Sequence, residues 1–250
     1  MDFDYLNISL PVKEVIPHIK KELTDSCTLI LKAPTGAGKS TLVPLTLLDE
    51  PWLKGKKILM LEPRRLAAKT VAIRMADLLA ESIGETIGYK IRFENKTSKN
   101  TRLEVLTEGI LTRMIQEDNS LEDIGLVIFD EFHERSIHAD LAMALCRETQ
   151  SILRPDLRIL VMSATLDMPK LSEMLQAPIV ESKGRLFPVE IEYSGDADAK
   201  MLPELMSRII KKAVEKNDGD VLAFLPGQGE IKKCEGILQN SLKGFEIHPL

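Results

Sequence analysis

Short apolar runs rich in β-branched residues alternate with segments of helical periodicity over much of this sequence. The runs occupy residues 27–31, 57–61, 103–106, 126–129 and 158–162. A continuous apolar run is typical of a parallel strand that is buried on both faces, and such strands are joined by right-handed helical crossovers. The pattern therefore predicts an α/β fold in which helices cover a mainly parallel sheet.

One predicted crossover helix covers residues 66–79, where apolar residues recur at helical spacing. Lys69 and Arg74 fall on its predicted outer face. The predicted core face consists of Leu66, Val71, Met75, Leu78 and Leu79.

A second unit is predicted to begin near Gly184 and to run through residues 184–250, after a first domain of residues 1–183. Three short strands in this unit would leave a sheet with an open apolar edge, so we expect the natural chain to continue beyond it. The predicted strands are 189–193, 221–225 and 245–248, and the predicted helices are 202–215 and 230–242.

Composition excludes several classes of protein. The chain has 250 residues, of which 44% are apolar and 28% are charged, so it can bury the core of one or two domains and is not typical of a disordered or fibrous protein. No apolar run approaches the ~18 residues that span a bilayer, and the N-terminus lacks the basic start of a secretion signal. We therefore expect a cytoplasmic protein that does not bind a membrane.

The net charge of −5 argues against a protein that coats nucleic acid through bulk charge, but basic residues are concentrated in two places. Residues 54–74 hold seven Lys or Arg against one Glu, and residues 90–102 hold five against one. Such runs are often only solvated surface. Because we identify no aromatic stacking platform beside them, any nucleic-acid contact is expected to follow the backbone. The candidates are Arg64, Arg65, Arg92 and Thr107.

The first predicted strand runs into Ala-Pro-Thr-Gly-Ala-Gly-Lys-Ser-Thr at residues 33–41, and a helix follows. A glycine loop between a strand and a helix start suits a phosphate, because backbone N–H groups and the helix N-terminus both favour an anion. Lys39 would reach the β- and γ-phosphates, and the Ser40 hydroxyl would face Mg²⁺. Ala33 replaces the usual first glycine, and the alternative is an ordinary glycine turn. The predicted nucleotide-binding residues are Thr35, Gly36, Ala37, Gly38, Lys39, Ser40 and Thr41.

Two later strands also end in side chains that suit phosphate chemistry. Residues 126–129 lead into Asp130 and Glu131, which could hold Mg²⁺ through water and orient an attacking water. Residues 158–162 lead into Ser163 and Thr165, which could sense the γ-phosphate and pass the difference to a neighbouring lobe. The acids could instead cap the next helix, and the hydroxyls could belong to a turn.

Taken together, these segments resemble the motifs of the superfamily 2 DEAH/DExH-box helicases. The matching segments are 33–41 (motif I), Glu-Pro-Arg-Arg-Leu-Ala-Ala at 62–68 (Ia), Thr-Glu-Gly at 107–109 (Ib), Asp-Glu-Phe-His-Glu-Arg at 130–135 (II), Ser-Ala-Thr at 163–165 (III) and Phe-Leu-Pro-Gly-Gln at 224–228 (IV). Phe132 stands where a strict DEAH box has Ala. The likeness covers nearly the whole chain.

The resemblance implies a RecA-like P-loop NTPase domain, followed by the start of a second RecA-like domain, and an ATP-dependent helicase. Motif I would bind ATP and Mg²⁺, with Ser40 and Asp130 toward the metal and Lys39 and Glu131 acting in hydrolysis. His133 would couple hydrolysis to the other lobe. Arg74 would stack on adenine, although it could also be a solvent-facing helix residue. Arg65, Arg92 and Thr107 would touch a single-stranded nucleic acid, with RNA preferred over DNA on resemblance alone.

The family's motifs V and VI, which include arginine fingers, are expected to follow residue 250. An arginine finger contributes about 10³ to 10⁵ in rate, so the chain alone is expected to hydrolyse ATP weakly. Two other functions remain open. A P-loop kinase would explain motif I but would leave segment 130–135 without a role, and a nucleotide-gated binding module would bind ATP without turnover.

Overall fold

The computed structural model describes residues 4–164, 168–184, 188–195, 198 and 201–249. The chain divides into two compact units, Met1–Phe187 and Pro188–Leu250. The sequence placed this boundary slightly earlier, after residue 183. None of the described helices is long and apolar enough to cross a membrane.

The first unit contains one eight-stranded sheet and six α-helices among its described residues. The strands are β1 (Thr28–Lys32), β2 (Lys57–Glu62), β3 (Ile87–Ile91), β4 (Glu94–Lys96), β5 (Leu103–Thr107), β6 (Ile124–Phe129), β7 (Arg158–Ser163) and β8 (Ile179–Glu181). The helices are α1 (Ile16–Asp25), α2 (Lys39–Thr46), α3 (Arg65–Leu78), α4 (Glu108–Glu117), α5 (Ile137–Ile152) and α6 (Met168–Leu175).

The strands lie in the order β4-β3-β5-β2-β6-β7-β1-β8, and all neighbours are parallel except β3 and β4. The predicted mainly parallel α/β sheet is therefore confirmed. Each of the five apolar runs forms a strand whose bounds differ from the predicted ones by no more than two residues. Since all the strands except β4 run in the same direction, their carboxyl ends share one edge of the sheet.

The two faces of the sheet bury separate apolar clusters, which explains why the strands read as continuous apolar runs. In β2, for example, Ile58 and Met60 join the cluster under α1, α2 and α3, whereas Leu59 and Leu61 join the cluster under α4, α5 and α6. Successive side chains of a strand point to opposite faces. A strand with helices on both faces must therefore be apolar throughout.

The β3–β4 hairpin was not predicted as strand. Its first strand reads Ile-Gly-Tyr-Lys-Ile, in which Gly88 and Lys90 weaken the apolar pattern. Gly88 is needed because a Cβ there would lie 2.5 Å from the carbonyl oxygen of Lys96. Only Arg92 and Phe93 separate the strands, and Phe93 has a φ of 71°. The hairpin therefore carries these two residues outward at a tight turn.

Leu66 does not belong to the core face of α3, so that part of the prediction is wrong. Its side chain is 78% exposed, whereas Met75 on the same helix is fully buried. Leu66 lies one turn from Lys69 and Thr70, on the polar side of the helix. The face that packs on the sheet is built mainly from small residues, and its buried members are Ala68, Ala72, Met75 and Ala76.

The second unit contains the helices α7 (Leu202–Lys216) and α8 (Gln228–Ser241). They pack through a small cluster in which Ile210, Cys234 and Leu238 are buried. The three strands predicted here are absent from its described residues, so those predictions are wrong. A segment counts as a strand only when its backbone pairs with a neighbour, and apolar β-branched sequence alone does not supply that neighbour.

The contrast between Met75 and Leu66 gives a matched test of the core. Met75→Ala should lower the free energy of unfolding by about 2–5 kcal/mol, because it leaves a cavity in a packed core. Leu66→Ala should change it by no more than about 0.5 kcal/mol, because the side chain is mainly in solvent. Urea denaturation of both variants measures the difference, and equal costs would contradict the assigned faces of α3.

Candidate functional site

The sequence motifs converge at one edge of the sheet because β6, β7 and β1 are neighbours in the strand order. The loop after β1 carries the predicted phosphate-binding residues. Asp130 and Glu131 follow β6, and Ser163 ends β7. Ligands in open parallel sheets bind at this edge, so the topology supports a single site built from three separate segments.

The loop after β1 turns through two left-handed glycines and enters α2 at Lys39. Gly36 has a φ of 77°, and Gly38, the residue that caps α2, has a φ of 91°. Ala33 is fully buried, and its N–H donates to the carbonyl oxygen of Ser163 at 3.0 Å. The methyl group that replaces the usual first glycine is therefore accommodated in the core.

An N-terminal segment that the sequence did not single out supports this loop. The N–H of Val12 donates to the carbonyl oxygen of Ala37 at 3.0 Å. The side chain of Leu10 lies so close to Gly38 that an added Cβ would be 2.7 Å from Leu10 Cδ1. No motif marks such backbone support, because it depends on packing rather than on residue type.

The Lys39 ammonium is buried and pairs with Glu131. Lys39 Nζ lies 2.5 Å from Glu131 Oε1, and the Lys39 side chain is only 4% exposed. Glu131 adopts a left-handed backbone with a φ of 47°, which is uncommon for a residue other than glycine. This conformation turns the carboxylate back toward the phosphate loop.

Asp130 is almost fully buried beside this pair. Its Oδ1 accepts the N–H of Glu131 at 2.8 Å, while its Oδ2 has no hydrogen-bond partner within the described part of the chain. Burial raises the pKa of Asp130, although the Lys39 ammonium and the Ser40 hydroxyl favour its charged form. A buried carboxylate oxygen with a spare lone pair, next to a hydroxyl, suits a hard cation.

Glu62, at the end of β2, is a further acid that the sequence did not assign to the site. Burial, together with the negative charge of Asp130, raises the pKa of Glu62 to about 9. Glu62 is therefore neutral near pH 7. Glu62 ends β2 and Asp130 follows β6, so the two acids meet because these strands are neighbours, which the sequence alone does not show.

His133 joins motif II to motif III. Its Nδ1 lies 3.3 Å from Glu131 Oε2 and 3.2 Å from Ser163 Oγ. A polar chain thus runs from Lys39 through Glu131 and His133 to Ser163. Thr165, predicted to act with Ser163, lies outside the described residues.

Phe132 explains how this chain departs from a strict DEAH box. Its side chain is 4% exposed and meets Phe129 edge to face, with ring centroids 6.0 Å apart. The larger residue fills space beneath the loop rather than entering the polar site. The substitution therefore changes packing and leaves the flanking Glu131 and His133 free to act.

A groove beside the site brings together Arg65, Arg92 and Thr107, three of the four residues predicted to contact nucleic acid. Arg64 is not among the residues that line it. The groove also contains cationic and titratable side chains that the sequence analysis missed, namely Lys90, Arg113 and His138, together with the acids Glu94, Glu108 and Glu117. The sequence gives little indication that these residues form one groove, because they lie on several different helices and strands.

Phe93 is an exposed aromatic residue beside the basic residues that the sequence analysis did not identify. It lines the groove, its side chain is 89% exposed, and the Arg92 guanidinium lies 4.8 Å from its ring centroid. Glu94 fixes this turn by accepting hydrogen bonds from Tyr89 Oη at 2.5 Å and from Lys69 Nζ of α3 at 3.1 Å. The turn is thus held beside the groove.

Arg74 is exposed on α3, and no hydrogen bond or ion pair joins it to another residue that the structure describes. This exposed position is consistent with a solvent-facing residue and with a residue that contacts a ligand. The remaining loop residues Thr35 and Gly36 are exposed, Ala37 is buried, and Thr41 is half-buried on α2.

The contact between Gly38 and Leu10 predicts unequal effects of two glycine substitutions. Gly36→Ala and Gly38→Ala should each lower the free energy of unfolding by about 1–2 kcal/mol, because both place a Cβ on left-handed backbone. Gly38→Ala should cost a further ~1–3 kcal/mol through the clash with Leu10, since no atom lies within 4 Å of the Cβ position at Gly36. Urea denaturation measures both, and Leu10→Ala should relieve part of the cost of Gly38→Ala alone.

The raised pKa of Glu62 predicts that the free energy of unfolding depends on pH. Its pKa is raised from 4.5 in the unfolded chain to about 9, so the stability it contributes is complete below 4.5 and is lost as the pH rises through about 9. Glu62→Gln removes this titration, so the variant should gain stability relative to the parent between about pH 5 and pH 9. Urea denaturation at several pH values tests this, and parallel pH profiles would contradict it.

Comparison with known proteins identifies the family to which the chain belongs. A family profile described as DEAD/DEAH box helicase matches residues 12–174. The ATP-dependent RNA helicase HrpB of Escherichia coli K12 is 50% identical over 228 residues, which cover 91% of this chain and 28% of that protein. An ATP-dependent RNA helicase HrpA homolog of Haemophilus influenzae is 34% identical over 247 residues, 97% of this chain and 19% of that protein.

A crystal structure of the E. coli DEAH/RHA helicase HrpB matches the fold with a TM-score of 0.82 and 48% identity, covering 93% of this chain and 30% of that one. The sheet is thus that of a RecA-like helicase domain. The chain spans less than a third of the length of these relatives. The family profile nevertheless covers more than half of the chain, and the chain belongs to the DEAD/DEAH box helicase family.

Proposed function

We propose that this chain is the ATP-binding part of an ATP-dependent RNA helicase, which couples ATP hydrolysis to strand movement or unwinding through two RecA-like lobes. The observation that carries the proposal is the convergence of Lys39, Asp130 and Glu131 at the phosphate loop. The names of the relatives, all RNA helicases, support RNA over DNA.

ATP would place its phosphates against the N-terminus of α2, where backbone N–H groups of residues 36–41 favour anions. Lys39 would then exchange Glu131 for the β- and γ-phosphates. This exchange would release Glu131 to orient the attacking water. The Lys39–Glu131 pair thus holds both side chains close to the place where they would act.

Mg²⁺ would be held by the free Oδ2 of Asp130, the Ser40 hydroxyl and phosphate oxygens. No group of three or more His, Cys, Asp or Glu among the described residues is arranged to hold a metal ion by itself. Mg²⁺ commonly takes only one or two carboxylates and completes its shell with phosphate and water. When bound, the ion would neutralise charge that develops on the phosphates.

The strand would lie in the groove, where Arg65, Arg92 and Thr107 would contact its backbone and Phe93 would offer a face to a base. His133 and Ser163 would relay the state of the γ-phosphate toward the second lobe, and Thr165 would act with Ser163 as the motif III resemblance implies. Arg74 would stack on adenine, a use of the planar guanidinium that Lys could not replace.

Residues 188–250 would begin the second lobe, and arginine fingers would come from its later part. A P-loop kinase explains the phosphate loop but gives the groove no role. A nucleotide-gated binding module would bind ATP and RNA without turnover. The proposed helicase requires both turnover and a response to RNA.

ATP binding and turnover should separate in the full-length protein. Lys39→Ala should abolish binding of a fluorescent ATP analogue, because it removes the cation that the phosphates need. Glu131→Gln should retain binding and lower turnover by at least ~10², the scale of a lost general base. Single-stranded RNA should stimulate the ATPase of the unsubstituted protein, which a metabolite kinase would not show. Normal hydrolysis by Glu131→Gln, or ATP binding without any turnover in the parent, would contradict the proposal.

A further inference from the structure

The loop that follows β6 is attached to the groove at two points beyond the catalytic carboxylates. It contains a short 3-10 turn, Phe132–Glu134, and its flanking residues Glu131 and Arg135 have φ values of 47° and 43°. One left-handed residue thus stands on each side of the turn, and the two attachment points, Glu134 and Ser136, lie within five residues of Glu131 along the chain. A displacement applied at one end of the loop is therefore passed along it.

The first attachment joins Glu134 to Arg64. Arg64 Nε donates to Glu134 Oε2 at 3.2 Å, and Arg64 Nη2 donates to Glu134 Oε1 at 2.9 Å. This bidentate geometry fixes orientation as well as distance. Arg64 precedes α3, and its neighbour Arg65 lines the groove. The ion pair therefore joins the catalytic loop to one wall of the groove.

The second attachment joins Ser136 to Glu108. The Ser136 hydroxyl donates to Glu108 Oε2 and also accepts the N–H of Ala139 at 3.0 Å, which caps α5. Glu108 begins α4, follows Thr107 and lines the groove. The far end of the catalytic loop is thus tied to a different part of the groove wall.

We infer that the Arg64–Glu134 and Glu108–Ser136 contacts form the link through which a strand in the groove repositions Glu131, and that Arg64 is a positioning residue rather than a strand contact. The inference rests on the proposed function. Each contact is one residue away from a predicted strand contact, Arg65 or Thr107. A strand that shifts α3 or α4 would therefore pull on the loop that carries the catalytic carboxylate.

Charge supports this role for Arg64. An arginine whose guanidinium is shared with a carboxylate presents less net charge to a phosphate, because the carboxylate repels the same anion. Arg65 and Arg92 have no such bidentate partner among the described residues and line the groove. The strand-binding and linking roles are thus divided between neighbouring arginines.

The test measures the ATPase of the full-length protein with and without oligo(U) RNA, and oligo(U) affinity by fluorescence anisotropy. Glu134→Gln should retain basal ATPase and oligo(U) affinity, and should lower the stimulation by RNA by about 3- to 5-fold, the range that an ion pair of this exposure can supply. Asp49→Asn is a matched control, because it also weakens an Arg–carboxylate pair, with Arg102 at 2.9 Å. It should leave the stimulation intact.

A charge exchange separates the two roles of Arg64. Arg64→Glu should lower the stimulation, and the double variant Arg64→Glu with Glu134→Arg should restore most of it, because the ion pair is rebuilt in reverse. Weaker oligo(U) binding by Arg64→Glu that the exchange does not restore would overturn the inference and make Arg64 a strand contact. Unchanged stimulation in Glu134→Gln would also overturn it. An unsubstituted protein that RNA does not stimulate would instead refute the proposed function itself, and the link with it.

Discussion

A buried ammonium needs a negative partner, and the pair of Lys39 with Glu131 satisfies that need at the centre of the site. An isolated charge at this depth would cost several kcal/mol, or the group would lose its charge. The same requirement explains how Lys39 could pair first with the Glu131 carboxylate and then with a phosphate. In the proposed function, a triphosphate would replace Glu131 without leaving Lys39 uncompensated, and the displaced carboxylate would stay beside the reacting phosphate.

The strand order of the sheet places the other candidate site residues around this pair. Because β2, β6, β7 and β1 are consecutive in the strand order, the ends of neighbouring strands lie about 5 Å apart although they are far apart in sequence. The same edge continues through β5 to the β3–β4 hairpin, where the groove lies. The proposed nucleotide site and the proposed strand-binding groove are thus neighbours on one sheet, and short side-chain contacts lie between them.

The sequence predicted what depends on residue type and periodicity. Apolar runs located five strands, and the glycine, lysine and carboxylate motifs identified residues that the fold brings together at one edge of the sheet. Features that depend on tertiary packing were missed. Leu66 has the right spacing for a core residue but faces solvent. Phe93 is exposed at the groove because it lies in the turn of the β3–β4 hairpin. The supporting role of Leu10 and the pairing of Arg64 with Glu134 likewise require coordinates, since each joins segments that no local pattern relates.

Ser163 has a consequence for how such a site is dissected by mutation. Its main-chain carbonyl holds the start of the phosphate loop through Ala33, while its hydroxyl meets His133. Replacing the side chain cuts only the second of these connections. An alanine substitution at this position therefore tests only the contact with His133, because the contact with Ala33 is made by a main-chain atom that every residue type shares.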